Sequence, residues 1–505
     1  MSDVVKGGRI YSPPPLQDAN FICLGETMLE YLDTQTKLTK NQYKIIGAAI
    51  LGDMLEFYDF FLIGFVLAII IKPWHLTFGE SAIILLSSGI GAIMGAAFWG
   101  HVADRIGRKA VFMATVINFS VATGILAFTP ENGWLFLSFF RFLTGFGVGG
   151  LYSVDLPLVQ EFVPSAKRGF IGGMITCTVP IGIMMGSFMG AFLSPYIGWR
   201  GLFATGLLPA FLTLLIRAWV PESPRWLARM GRAEEARKSL AWALEVDPES
   251  IPLSAMTFAV QEKPRFRDLF RYPRSLVVSW LGNLGAQTGV YGINLWAPTL
   301  LLLVLKTTPQ RASFFMIFIA MGGFAGRLAF AWLSDAIGRV KSGALVGFGA
   351  AIVVALAGIF HSYFLGGLSV FWMLLIVAHF FGDGGFSIVG PYSSEVWPAH
   401  LRATGMGSAY GFGGLGKILG PLGLAMIIGS SNVVTPTVSM AAITPAFLYL
   451  AAWYLMAGIV YGFFGIETRG RSFEAIEEQL ESGRTDRASL AAAAGAGKAG
   501  GPGTQ

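Results

Sequence analysis

Apolar residues run through this chain in long blocks separated by short polar gaps. Twelve blocks approach the roughly twenty residues needed to cross a bilayer core of about 30 Å. Their approximate limits are 45–71, 81–103, 110–128, 134–162, 168–193, 199–220, 276–304, 312–333, 342–361, 369–396, 403–429 and 441–466. Six precede residue 221 and six follow residue 275, around a polar centre rich in Arg and Glu. The pattern predicts an all-α membrane protein of twelve transmembrane helices. Its expected parts are an N-terminal segment (1–44), a six-helix bundle (45–220), a central loop (221–275), a second six-helix bundle (276–466) and a tail (467–505). The tail ends in AAAAGAGKAGGPGTQ, which cannot pack a core, and is expected to be mostly disordered. Residues 1–40 show no basic start, apolar core and small-residue cleavage site, so no removable signal peptide is expected.

Composition agrees with the pattern: of 505 residues, 54% are hydrophobic and 13% charged, which excludes an ordinary water-soluble enzyme. The 65 glycines and 24 prolines are dispersed, against a collagen-like or low-complexity chain. Cys23 precedes the first span and Cys177 lies within a later one, so no disulfide framework is expected. The even-numbered loops are basic, with ten Lys and Arg in the central segment alone, whereas the alternate loops hold Lys72, Arg200, Lys306 and Arg311. Because basic loops stay on the cytoplasmic side, both termini are expected in the cytoplasm and the protein in the plasma (cell inner) membrane. The net charge of +6 then reflects topology and anionic headgroups rather than nucleic acid.

An internal repeat relates the two sets of six. Gly91, Gly95, Asp104, Gly107 and Arg108 recur 231 positions later as Gly322, Gly326, Asp335, Gly338 and Arg339. Glu161, Pro164, Arg168, Gly182 and Gly186 recur 234 positions later as Glu395, Pro398, Arg402, Gly416 and Gly420. Six helices separate the copies, so the halves share one membrane orientation and are pseudo-symmetric, with a substrate site expected between them.

Charges inside the spans carry the chemistry, since each costs about 2.5–3.5 kcal/mol at a helix centre on insertion scales. Asp53, Glu56 and Asp59 recur every three residues in the first span, a stripe suited to protons or cations. Arg141 and Asp155 lie in the fourth span, Arg327 in the eighth, Asp383 in the tenth and Lys417 in the eleventh, with His379 as a further polar partner. Arg327 is about 12 Å along its helix from Asp335, which suggests a place near a gate. Lys417 suits a carboxylate or phosphate; its alternatives are an ion pair with Asp383 or a snorkelling side chain.

The chain resembles the major facilitator superfamily over nearly its whole length. The resemblance rests on GHVADRIGRK at 100–109, RFLTGFGVGG at 141–150, EFVPSAKRG at 161–169, PESPRWL at 221–227, SEVWPAHLRATG at 394–405 and IETRGRSFEAIEE at 466–478. PESPRWL and ETRGRS look like the branch of sugar porters and metabolite/proton symporters. The resemblance implies that Asp59 and Arg141 couple protons, with Glu56 and Asp53 beside them. It places a gate at Asp104, Arg105, Gly107, Arg108, Glu161 and Arg168, and again at Asp335, Gly338, Arg339, Glu395 and Arg402. Asp104 is expected to contact the basic run Arg105, Arg108 and Lys109, Asp335 to contact Arg339, and Glu161 and Glu395 to join through Arg168 and Arg402. The sugar pattern fails where a sugar would be held: Thr176, Gly285, Ala286 and Gly390 stand at positions of expected Gln or Trp, with Gln287 shifted. Related carriers with a basic residue in the eleventh span have it at the position of Gly414. Substrate contacts are therefore expected from Lys417, Asp383, Gln287, Thr176 and Asn294.

GFGVGG at 145–150 matches a dinucleotide fingerprint but lies in an apolar helix, where its glycines serve close helix packing. Gly411–Lys417 matches a phosphate loop only until Ile418, so ATP-driven pumping has no support. The reading is a transporter and not an enzyme: a proton-coupled symporter of a small organic anion working by alternating access. Its expected partners are substrate, protons and lipid, with no cofactor, metal or nucleic acid. The alternatives are a proton-linked sugar or polyol carrier, a proton-antiport exporter, and a non-transporting sensor.

Overall fold

The computed structural model describes residues 28–33, 35, 37–152, 154–256, 265–398, 401–471, 476, 478 and 480. Cys23, most of the N-terminal segment and the 481–505 tail lie outside the described residues. Helix α1 (Met28–Asp33) precedes α2 (Lys40–Ile70), which forms the first span. The rest of the first half comprises α3 (Phe78–Ile106), α4 (Arg108–Leu126), α5 (Trp134–Tyr152), α6 (Asp155–Gln160), α7 (Ser165–Thr176), α8 (Val179–Phe188), α9 (Ser194–Thr205) and α10 (Leu208–Trp219). Short helices α11 (Pro224–Arg229) and α12 (Ala233–Leu244) lead to the second half. There follow α13 (Pro273–Val304), α14 (Pro309–Ile337), α15 (Arg339–Ile359), α16 (Val370–Gly382), α17 (Phe386–Glu395), α18 (Arg402–Gly413), α19 (Gly416–Ile428) and α20 (Pro436–Phe464).

Among the described residues, nine helical segments are long and apolar enough to cross a membrane by length and composition. The other three spans are α2, whose charges interrupt it, the polar-dotted α13, and α10, which is short because the sixth span breaks after Thr205. Helix ends are set by local chemistry. Thr39 and Thr77 form capping boxes with Gln42 and Glu80, satisfying the free N–H groups that open α2 and α3. Gly107 and Gly338 occupy φ of +104° and +100°, a region that side chains avoid, and turn the chain sharply between α3 and α4 and between α14 and α15.

Close glycine contacts hold each half together. A Cβ on Gly145 would stand 2.0 Å from the Ser88 carbonyl oxygen, and one on Gly149 would stand 1.9 Å from that of Ala92. Gly145 and Gly149 thus press α5 onto α3, and Gly147 presses it onto α4 at Thr115 and Phe119, in keeping with close helix packing. Repeat positions do the same twice: Gly95 abuts the Phe146 carbonyl and Gly326 that of Phe380, with distances for an added Cβ of 1.9 and 2.0 Å.

The two ends of the molecule differ. At the face opposite the basic loops, backbone bonds stitch the halves: Phe78 N–H donates to Asn432 O (2.9 Å), Gly79 N–H to Ser430 O (2.8 Å) and Val434 N–H to Leu76 O (3.0 Å). At the basic face, α11 and α12 dock on the first half. Trp226 Nε1 donates to the Asp104 carbonyl (3.0 Å), Ser239 Oγ to that of Glu222 (2.6 Å) and Thr39 Oγ1 to that of Ala243 (2.5 Å).

Candidate functional site

The stripe on α2 is buried, with Asp53, Glu56 and Asp59 no more than 2% exposed. Its acids fan into different neighbours. Thr178 Oγ1 donates to Asp53 Oδ2 at 2.9 Å, and Thr123 Oγ1 donates to Asp59 Oδ2 at 2.8 Å. Arg141, fully buried, does not bond the Asp59 carboxylate: Nη1 donates to the Asp59 carbonyl (3.2 Å), while Nη2 donates to the Phe60 carbonyl (2.8 Å) and Ser88 Oγ (3.1 Å). Acid and guanidinium are therefore neighbours through the helix backbone, with Asp59 Oδ1 and Arg141 Nε left unpartnered. Glu56 lies in electrostatic range of Asp53, Asp155, Lys417 and Asp59, and its Oε2 has no hydrogen-bond partner. A carboxylate so placed accepts a proton without breaking any bond.

Lys417 approaches α2 from the other half. The short spacing between α18 and α19 around Gly414 and the glycine at 89 let α19 close on α3, where a Cβ on Gly89 would stand 2.9 Å from Lys417 Cβ. Its Nζ lies 5.5 Å from the centre of the Phe60 ring and 5.0 Å from that of Tyr291. Tyr291 in turn stacks on Phe61 at 5.6 Å and meets Phe60 edge-on at 5.5 Å. Among the described residues Lys417 Nζ makes no ion pair or hydrogen bond; its charge is held against aromatic faces, with Glu56 in electrostatic range. The ring cluster is built from both halves, Phe60 and Phe61 from α2 and Tyr291 from α13.

Other expected substrate groups are placed differently. Asp383 does not pair with Lys417; its Oδ1 lies 3.5 Å from Arg327 Nη2. Arg327 stands apart from the Arg108 and Arg339 clusters, with Nη1 donating to the Thr176 carbonyl of the first half. The Thr176 hydroxyl donates back to Gly173 O at 3.0 Å, as threonines in helices commonly do, which leaves its oxygen as an acceptor only. Asn294 Oδ1 bonds His379 Nε2 at 2.7 Å. Gln287 is 3% exposed and keeps an unpartnered Nε2 beside Gly413.

The gate residues form two clusters; Asp335 pairs with Arg339 as expected, while Glu161 and Glu395 take other partners than expected. Arg108 Nε pairs with Glu161 Oε1 at 3.0 Å, whereas Arg168 Nε donates to the Val163 carbonyl at 3.3 Å. In the second half Arg339 pairs with Glu395 at 3.4 Å and bonds Asp335. Glu395 thus takes Arg339 and the Thr468 hydroxyl (2.5 Å), not Arg402. Asp104 is exposed, as is Arg105, and its carboxylate makes none of the expected contacts with Arg105, Arg108 or Lys109. Solvation explains this: an exposed ion pair gains about 0–1 kcal/mol, too little to hold it.

Sequence reasoning missed two glutamates. Glu222 Oε1 accepts from Arg108 N–H (2.9 Å) and Lys109 N–H (3.1 Å), and Glu467 accepts from Arg339 N–H (2.9 Å) and Val340 N–H (3.2 Å). Each carboxylate caps the helix after a positive-φ glycine, where a helix N-terminus favours negative charge. The signal was available, since both follow the last span of their half.

Residues 44–480 match the family model described as sugar (and other) transporter. The niacin transporter NiaP of Acinetobacter baylyi is 30% identical over 86% of this chain and 97% of its own length. The 4-hydroxybenzoate transporter PcaK of Pseudomonas putida is 26% identical over 78% of this chain and 88% of its own. In fold, the chain superposes on the partially occluded, inward-open xylose transporter XylE from E. coli with a TM-score of 0.67, at 20% identity, over 86% of this chain and all of that one. With this coverage, and with twelve spans in two pseudo-symmetric halves, the chain belongs to the sugar (and other) transporter family of the major facilitator superfamily and is a multi-pass membrane transporter.

Proposed function

We propose that the protein is a proton-coupled symporter of a small aromatic carboxylate, moving it by alternating access between its two halves. The observation that carries this reading is Lys417: a buried cation between the halves, facing Phe60 and Tyr291, with Glu56 in electrostatic range but no carboxylate in direct contact with it among the described residues. A planar anion supplies both missing partners, a countercharge for the ammonium and a face for the rings. Niacin and 4-hydroxybenzoate, named for the two relatives, are both aromatic carboxylates. A sugar would need a ring of amide donors, and among the expected positions only Gln287 and Asn294 offer one.

Asp59 carries the proton in this proposal, with Glu56 as its neighbour. Protonation removes a buried charge from α2 and leaves Arg141 held by backbone carbonyls, so the half can reorient without dragging an unpaired carboxylate through the low-dielectric interior. The basic loops and both termini face the cytoplasm, and an inward proton gains about 2.3 kcal/mol per 100 mV, which drives accumulation. The Arg108–Glu161 and Arg339–Glu395 clusters steady the helix ends at that face while the halves rock.

Reconstituted uptake tests the reading. Proteoliposomes with an acidic exterior should accumulate nicotinate or 4-hydroxybenzoate above the outside concentration, and the lumen should acidify as they do. Accumulation that ignores the proton gradient would remove the coupling; uptake of xylose in preference to either acid would remove the substrate class.

A further inference from the structure

We propose that Arg327 is a gate made of one side chain, closing the path between the buried Lys417 site and the basic face, and that Pro180 creates the acceptor it closes on. In an α-helix the Thr176 carbonyl would accept from the N–H four residues on. That residue is Pro180, which has no N–H. The fifth span accordingly breaks, with α7 ending at Thr176 and α8 beginning at Val179. Arg327, on α14 of the other half, donates Nη1 to the freed carbonyl.

Position makes this bond a closure. Arg327 stands ten residues before the basic-face end of α14, roughly 15 Å along its axis, and Lys417 stands fifteen residues after the start of α18, roughly 22 Å in. The Arg327 bond therefore lies between Lys417 and the basic face. It differs in kind from the opposite closure, where several backbone bonds join the halves.

The guanidinium also has somewhere to go. Arg327 and Asp383 are 4% and 1% exposed, and their 3.5 Å contact is longer than the 2.7–2.9 Å of a tight charge-assisted bond. Asp383 Oδ2 is unpartnered, and the Phe386 ring centre lies 5.4 Å from the guanidinium carbon. When the halves part, Arg327 can leave Thr176 and close fully onto Asp383 within its own half, so no buried charge is left alone. This gate needs only alternating access and is independent of substrate identity.

Cys177, half-buried beside Thr176, is the natural reporter. With Cys23→Ser it is the only thiol, since the chain has 2 cysteines. Its labelling by a membrane-impermeant maleimide is measured from the basic face in vesicles of known orientation, without substrate. Arg327→Gln should raise the labelling rate at least tenfold. Pro180→Ala should do the same, because the new N–H takes the Thr176 carbonyl. The double variant should be no faster than the faster single one, since both remove one bond. Unchanged labelling in either single variant, or multiplied effects in the double, would overturn the gate. Because no substrate is present, that result would leave the carboxylate reading standing.

Discussion

Arg108 on Glu161 and Arg339 on Glu395 are one contact made twice, each beside a positive-φ glycine and a glutamate that caps the next helix. The interiors of the same two halves share no such likeness. The first buries Asp53, Glu56, Asp59 and Asp155 with Arg141, whereas the second buries Arg327 against Asp383 and adds Lys417. Acid excess in the interior of one half and basic excess in that of the other fit a carrier that takes a proton on one half and an anion on the other. The repeat preserves the parts that let helices turn and rock, and the difference between halves lies where cargo is chosen.

That contrast can be broken at several points. The largest effect should come from the duplicated packing glycines: Gly95→Val and Gly326→Val each drive a side chain into a backbone carbonyl, and neither should yield a monodisperse protein on size exclusion. Equal failure of both would mark them as structural equivalents; normal elution of either would contradict the close approach. Next, Asp59→Asn should abolish uphill uptake while leaving counterflow exchange, whereas Glu56→Gln should keep some uphill uptake. Proton-driven accumulation in Asp59→Asn would move the coupling elsewhere. Glu161→Gln and Glu395→Gln should slow transport by similar factors, within about threefold of one another, because each weakens the same partly buried pair; a large difference would end the claim that the clusters are equivalent. The smallest effects belong to Asp104→Asn and Asp335→Asn. Asp335 sits 74% exposed in its pair with Arg339 and Asp104 has no ion pair among the described residues, so both should retain most of the wild-type rate.

The spans and the repeat were legible because apolar block length and recurring Gly, Asp and Arg report directly on membrane crossing and helix packing. Partner choice was not. Glu161 has Arg108 and Arg168 equally available in sequence, and only the docking of α4 against α6 and α11 decides for Arg108. Lys417 was legible as a charge, but the rings that hold it come from residues 60 and 291, which no local pattern links to it. Asp383 and Thr176 were read as substrate groups because their type and span suited the role; the proline that frees the Thr176 carbonyl, and the arginine that takes it, come from different halves.

Direct binding to Lys417 variants tests the central claim most closely. Calorimetric titration of the purified protein with nicotinate and 4-hydroxybenzoate should show a well-defined site, weakened at least tenfold in Lys417→Gln, about 1.4 kcal/mol or more, and less in Lys417→Arg, which keeps the charge. The matching neutral amides should bind wild type and Lys417→Gln alike. If Lys417→Gln binds the acids as tightly as wild type does, while a neutral sugar competes for the site, the lysine does not select an anion and the account fails.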